Sequence, residues 1–304
     1  MNILFKTAFL CCCAALLLAA AGCGDAGKPQ PEDKGDSILS LQEKATGGDT
    51  AAMIKLGRVF LTGNEDVEIN YAEALKWFEA ASAKGSGEAM AHCGLIYNCG
   101  GNGVEMDQPK ALSCYKASAE KGDSLGQFLY GNILLDGGNL PAALTWLEKS
   151  AGQGLLKAQL ELGDFYSNND SASAVKWYKR AADQESPAAM NNLAYLWAEQ
   201  GAELDKALVW AGKAVSMEPD QATFIDTLGW VLFKKGRYAE AFGRLTEAEK
   251  FNPENADILD HLGETCLKLG KKTEADEYWK RAIEQSADQE FKDKIQQKLN
   301  SLKK

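Results

Sequence analysis

Histidine is almost missing from this sequence: His92 and His261 are the only two among 304 residues. There is no H-E-x-x-H, no G-x-S-x-G and no phosphate-binding glycine loop, so the common signatures of zinc, acyl-transfer and nucleotide chemistry are absent. Eight cysteines are present, but none forms a C-x-x-C pair, and the spacing fits no zinc site. No apolar run reaches the ~20 residues that a spanning helix needs. Cations are also outnumbered, with a net charge of −10. An acidic surface leaves no phosphate footprint and excludes nucleic acid as a partner. It equally disfavours direct attraction to anionic headgroups, and its simplest consequence is solubility. These absences predict no enzyme, no metal and no cofactor.

What the sequence does have is repetition. The stretch Ala222 to Pro253 places Ile225, Leu228 and Leu232 on one apolar stripe of a helix. Gly236 breaks that pattern, and a second stripe follows in Tyr238, Ala241, Leu245 and Ala248. Pro253 ends it, because proline cannot continue a helix. The result is a helix, a tight turn and an antiparallel helix. The small residue Gly229 recurs as Gly57, Gly94, Gly131, Gly163, Ala194 and Gly263. The position of Ala241 recurs as Ala74, Ala111, Ala143, Ala174, Ala207 and Ala275. A single hairpin cannot bury both of its apolar faces, so seven in a row predict a solenoid.

The motif Leu228-Gly229-x-x-Leu232, Ala241-x-x-x-Leu245, Pro253 resembles the tetratricopeptide pattern. The first two units are longer between glycine and alanine. Their loops, with Gly101-Asn102-Gly103-Val104-Glu105-Met106-Asp107 the clearest, look like the Sel1-like branch of that superfamily. The resemblance implies an all-α, right-handed α-solenoid of about seven helix-turn-helix repeats, Sel1-like then tetratricopeptide, with capping helices at both ends. The expected division is a Sel1-like half over 37–168, a tetratricopeptide half over 169–286 and a C-terminal capping helix within 287–304.

In tetratricopeptide units the first helices line the concave face. The resemblance therefore implies that Asn191, Tyr195, Asp226, Trp230, Phe233, Asp260, Glu264 and Leu267 point into a groove that binds a partner protein. The family's carboxylate clamp needs cations that these positions lack. Aromatics beside acids suit an apolar or basic segment instead. His261, one helical step from the groove side, reads as an exposed histidine. Trp77, Trp146, Trp177 and Trp210 recur at one helical position and read as packing residues.

The amino end is of another kind. Lys6 precedes an apolar run from Ala8 to Ala21, as in a secretory signal. Ala20-Ala21-Gly22-Cys23 resembles a bacterial lipobox. That resemblance implies a signal peptide over 1–22, acylation of Cys23, and a tether over 23–36 that is too polar and Gly/Pro-rich to fold. Gly24 stands where an inner-membrane retention aspartate could be, which favours an outer-membrane anchor facing the periplasm. An exported protein could form a disulfide, and Cys93 with Cys114 is the pair considered. Burial of each as a small hydrophobe is the simpler reading.

Together these features predict a lipid-anchored scaffold of the cell envelope. It would bind a partner protein through its solenoid surface and serve as an assembly or accessory factor. The alternatives are a carboxylate-dependent enzyme acting on cell wall or glycan, and a non-catalytic glycan-binding module.

Overall fold

The computed structural model describes residues 37–302. The expected signal peptide, Cys23 and the tether lie outside the described residues. Among those described there are sixteen helices and no strand; the sole β-type feature is an isolated bridge between Gly101 and Val104. The helices are α1 (Ile38–Thr46), α2 (Thr50–Thr62), α3 (Tyr71–Ala83), α4 (Gly87–Cys99), α5 (Gln108–Glu120), α6 (Ser124–Asp136), α7 (Leu140–Gly152) and α8 (Leu156–Ser167). They continue as α9 (Ser171–Ala182), α10 (Pro187–Gln200), α11 (Leu204–Met217), α12 (Ala222–Lys234), α13 (Tyr238–Phe251), α14 (Ala256–Lys268), α15 (Lys272–Gln285) and α16 (Gln289–Leu302). The chain is an all-α solenoid of repeated hairpins, with α1 and α16 as the unpaired helices at the two ends.

Local signals set the ends of these helices. Asp49, Asn70, Ser86, Asp107, Asp123, Asn139, Asp170, Ser186 and Asn255 each accept a backbone N–H of the first turn through their side chain. Short polar side chains do this because the first N–H groups of a helix have no partner within it. Gly236 and Gly270 follow α12 and α14 at φ +76° and +77°, where a side chain would be strained. No described helix is long and apolar enough to cross a membrane.

The chain divides into two compact units, residues up to Leu162 and from Gly163 onward. The boundary falls inside α8. In the first unit, Phe78, Leu56 and Leu147 are fully buried. In the second, Ile225, Leu245, Ile258 and Leu262 form one cluster, and Trp279 with Cys266, Ile295 and Leu299 forms another beneath α16.

Both units repeat one contact within each hairpin. The small residue of the first helix faces the residue four places after the recurring alanine of the second. A Cβ added at Gly57 would lie 2.6 Å from Phe78, and one at Gly94 2.5 Å from Tyr115. The same test gives 2.4 Å from Gly163 to Tyr178, 2.7 Å from Gly229 to Leu245 and 2.4 Å from Gly263 to Trp279. Interiors are packed like crystals, so no side chain fits at these glycines. The exception explains itself: the small position of the α10–α11 hairpin is Ala194, and the residue opposite is the equally small, buried Ala211.

Candidate functional site: the first-helix edge of the second unit

A second contact runs sideways, from the first helix of one repeat to the first helix of the next. Asp164 meets Asn192 at 3.3 Å, and Glu199 accepts from Trp230 Nε1 at 2.7 Å. Asp226 meets His261 Nδ1 at 2.8 Å. The carboxylate of Asp260 meets Lys298 Nζ at 2.7 Å, and Glu264 meets the same ammonium at 2.8 Å. The first unit shows the same habit, with Arg58 to Glu88 at 2.7 Å and Asn132 to Glu161 at 3.2 Å.

These contacts decide where the expected groove residues stand. Asn191 is buried; its side-chain nitrogen donates to Asn192, and its Oδ1 has no partner. Tyr195, 40 % exposed, is the most open of the set. Asp226 is buried against His261. Trp230 is buried as well, stacked 4.0 Å from the His261 ring and 4.6 Å from Phe233. Phe233 also tilts against Tyr238 at 5.4 Å. Asp260 accepts from Trp279 Nε1 at 2.8 Å besides holding Lys298. Leu267 packs on the cluster of Cys266, Trp279 and Leu299. Of the eight, Asp226, Trp230 and Phe233 gather around His261, Asp260 and Glu264 gather around Lys298, and Tyr195 stands open.

One expectation needs correction. His261 is not an exposed histidine; it is 7 % exposed and ion-paired to Asp226 across a repeat boundary. Burial works against its charge, but the Asp226 carboxylate outweighs that, with Asp260 and Asp257 helping, and its pKa stands above the ordinary histidine value. Cys93 and Cys114 are free thiols, and no disulfide joins them. Cys93 is buried beside the Ser82 hydroxyl, 3.7 Å away, and burial pushes its thiol up to about 12. The thiol of Cys114 is raised too, also by burial.

The reading from sequence missed Glu199, Asp257, His261, Lys234 and Lys298. The signal was there. The residue two places before the small position is Glu161, Asn192 and His261 in three of the repeats, and in each it reaches back to the preceding first helix. The electrostatic result is concentrated near Tyr195. Burial and the charges of Glu199, Asp257, Asp226 and Asp260 push its phenol up to about 12. Burial and the charges of Asp226 and Asp260 raise Asp257. Burial opposes ionisation of Glu199, but hydrogen bonds from Trp230 and Lys234 win and hold its carboxyl below the usual range. Among the described residues, no group of three His, Cys, Asp or Glu side chains is placed to hold a metal ion.

This architecture matches known repeat families in the order read from the sequence. The Sel1 repeat family matches residues 50–86, 87–123, 124–155 and 156–186. The family described as anaphase-promoting complex, cyclosome, subunit 3, matches residues 200–282. The chain is a Sel1-like and tetratricopeptide-type repeat protein. The Sel1 matches run past the Leu162 boundary of the compact units, so sequence pattern and compactness change at different places.

Two Pseudomonas aeruginosa proteins are similar. The TPR repeat-containing protein PA4667 is 27% identical over 173 residues, covering 54% of this chain and 29% of its own length. The type IV pilus assembly protein PilF is 26% identical over 130 residues, covering 41% of this chain and 52% of its own. The repeat protein thus spans about a third and about half of the curated relatives it matches. Among solved structures, c5321, a protective antigen of uropathogenic Escherichia coli with an SLR fold, superposes with a TM-score of 0.62. It is 22% identical and covers 90% of this chain and 61% of its own. A Sel1 repeat protein from Oxalobacter formigenes gives 0.53 at 22% identity, over 70% of this chain and 97% of its own. Both likenesses show the fold alone.

Proposed function

We propose that this repeat protein is a lipid-anchored scaffold of the bacterial cell envelope that binds a partner protein through its first-helix edge. It serves as an assembly or accessory factor for an envelope complex. The observation that carries the binding reading is the one groove position left open: Tyr195 is exposed, while its counterparts Trp230 and Glu264 are taken up by the chain's own residues. Stacked repeats place equivalent positions in a strip, and such strips are what repeat proteins offer to other proteins.

The anchor rests on Ala20-Ala21-Gly22-Cys23, and acyl chains on Cys23 would hold the domain at the outer membrane facing the periplasm. The assembly role is supported by PilF, whose name assigns it to type IV pilus assembly. Crosslinking in intact cells followed by mass spectrometry tests the whole reading. It should return an envelope protein joined to residues of α10, α12 or α14. Crosslinks confined to cytoplasmic proteins would refute it.

A further inference from the structure

The second helix of each hairpin carries a recurring residue three places after its alanine. It is Trp77, Trp146, Trp177, Trp210 and Tyr278 in five hairpins, and Cys114 in a sixth. In α13 that place is taken by Arg244, with Gly243 just before it. Where the ring is missing, a groove of about 510 Å³ opens between α11 and α13. Its floor is apolar, made by Leu208 of α11 with Leu228 and Leu232 of α12. Gly243 lines the groove and is exposed, and a Cβ added there would meet nothing within 4 Å. Glycine weakens a helix interior, and no contact among the described residues requires it here. A glycine so placed suits a backbone that another chain approaches closely.

The α13 wall of the groove carries an ordered set of charges. Arg237, Glu240, Arg244 and Glu247 line it at spacings of three, four and three, which is one face of a helix. Phe251, 49 % exposed, continues the stripe one turn further. Within the chain Arg237 meets Glu240 at 2.6 Å and Arg244 meets Glu247 at 2.8 Å, yet all four side chains stay at least two-fifths exposed. The order along the helix is positive, negative, positive, negative, and reversing the helix inverts every sign. The stripe therefore complements a second copy of itself laid antiparallel, with Arg237 opposite Glu247 and Glu240 opposite Arg244. The symmetric spacing lets all of these pairs align at once, about a two-fold axis that falls beside Gly243. Laid parallel and in register, like charges would face each other.

We propose that the occupant of this groove is a second copy of the chain, in a two-fold dimer whose α13 helices cross antiparallel at Gly243. Such an interface uses the same patch on both copies and closes on itself, so it makes a dimer and not a fibre. Arginine suits the contact, because its planar fork has N–H groups left for a second carboxylate after it has met its own. Phe251 of each copy then lies past the start of the other's α13, as an apolar end to the charged stripe. The dimer does not use the first-helix edge, so it stands apart from the scaffold reading, and either can fail without the other.

Sedimentation of the full chain in density-matched detergent tests this. The parent should show a monomer–dimer equilibrium. Arg237→Glu with Arg244→Glu makes the stripe wholly negative, and Glu240→Arg with Glu247→Arg makes it wholly positive. Each variant alone should raise the dissociation constant about tenfold or more, since every cross-pair becomes repulsive. Mixed in equal amounts, the two should recover the parent's affinity as a hybrid dimer, which neither lost folding nor detergent would produce. Gly243→Gln, which removes no contact and no charge, should raise the unfolding midpoint and still weaken the dimer, because it strengthens the helix and fills the crossing point. This variant decides the matter if the charge variants lose helical signal. A parent that stays monomeric at about 100 μM, where a micromolar contact is saturated, would overturn the proposal and leave the groove to another protein. Like-charged variants that dimerise as the parent does, folded variants whose mixture fails to recover, or an unchanged dimer in Gly243→Gln would equally overturn it.

Discussion

If the glycine of each hairpin is there to admit the side chain opposite, the two positions must be energetically coupled. The α12–α13 hairpin is the place to measure this. A Cβ at Gly229 would sit 2.7 Å from Leu245 Cγ and 2.9 Å from its Cδ2, with the Leu245 backbone nitrogen at 3.3 Å. Carbon atoms prefer about 3.5–4.0 Å, so the helices must separate by roughly 1 Å or Leu245 must leave its rotamer. Overpacking of this kind costs about 1–3 kcal/mol. Replacing a mid-helix glycine by alanine returns about 1 kcal/mol of helix propensity. Gly229→Ala should therefore destabilise by about 1 kcal/mol, and Gly229→Val by more, since valine regains less propensity and carries more bulk. Leu245→Ala, at a fully buried site, should cost about 2–5 kcal/mol. The double variant rebuilds what nature has at Ala194 and Ala211, and should cost less than the sum of the two by about 1–2 kcal/mol. Repeat arrays can unfold in pieces, so the readout should be hydrogen exchange of α12 and α13 amides beside urea unfolding. Additivity within about 0.5 kcal/mol would mean that the two residues do not share a contact, and the packing rule would fail.

Further outcomes are expected. Cys23→Ala should leave an uncleaved precursor that takes up no labelled fatty acid; label persisting on the variant would remove the anchor. Trp230→Ala should lower the unfolding temperature before it affects anything else, because the indole is stacked between His261 and Phe233; an unchanged melt would contradict that placement. The two histidines should give the two units opposite pH dependence. His261, raised by Asp226, adds stability that is fully present below about 6.5 and is lost as pH rises through its folded value. His92, lowered to about 3 by burial and Arg58, acts the other way: its contribution is present above about 6.5 and is lost as pH falls toward 3. Unit-resolved hydrogen exchange across that range should show this divergence, and His261→Gln should flatten the second unit's response. A common trend in both units would refute the assignment.

The periodic part of this structure was legible in the sequence, and the part that depends on neighbouring repeats was not. Gly229, Ala241, Gly236 and Pro253 mark one hairpin completely, since helix spacing, tight turns and chain breaks are local properties. The recurrence of those residues then gives the array. Burial of Trp230 and His261 is different. Both sit on the face expected to be open, and what closes it is a side chain 31 or 35 residues away, Glu199 or Asp226, reaching sideways. Propensity and periodicity within one repeat carry no record of that reach. The same holds for Lys298: a lysine on a terminal helix looks like solvated charge until α16 docks and turns it toward Asp260. The one open position, Tyr195, was among the expected groove residues.

On the scaffold reading, the first-helix edge of the second unit binds an envelope protein. The most direct measurement places a photo-crosslinking residue at Tyr195 in the full chain within living cells, with a parallel variant at Val209, which is 57 % exposed on the second helix of the same hairpin. A crosslinked product containing one envelope protein at Tyr195, and not at Val209, is the expected result. The same product from Val209 with none from Tyr195 would place binding on the opposite face and contradict the claim.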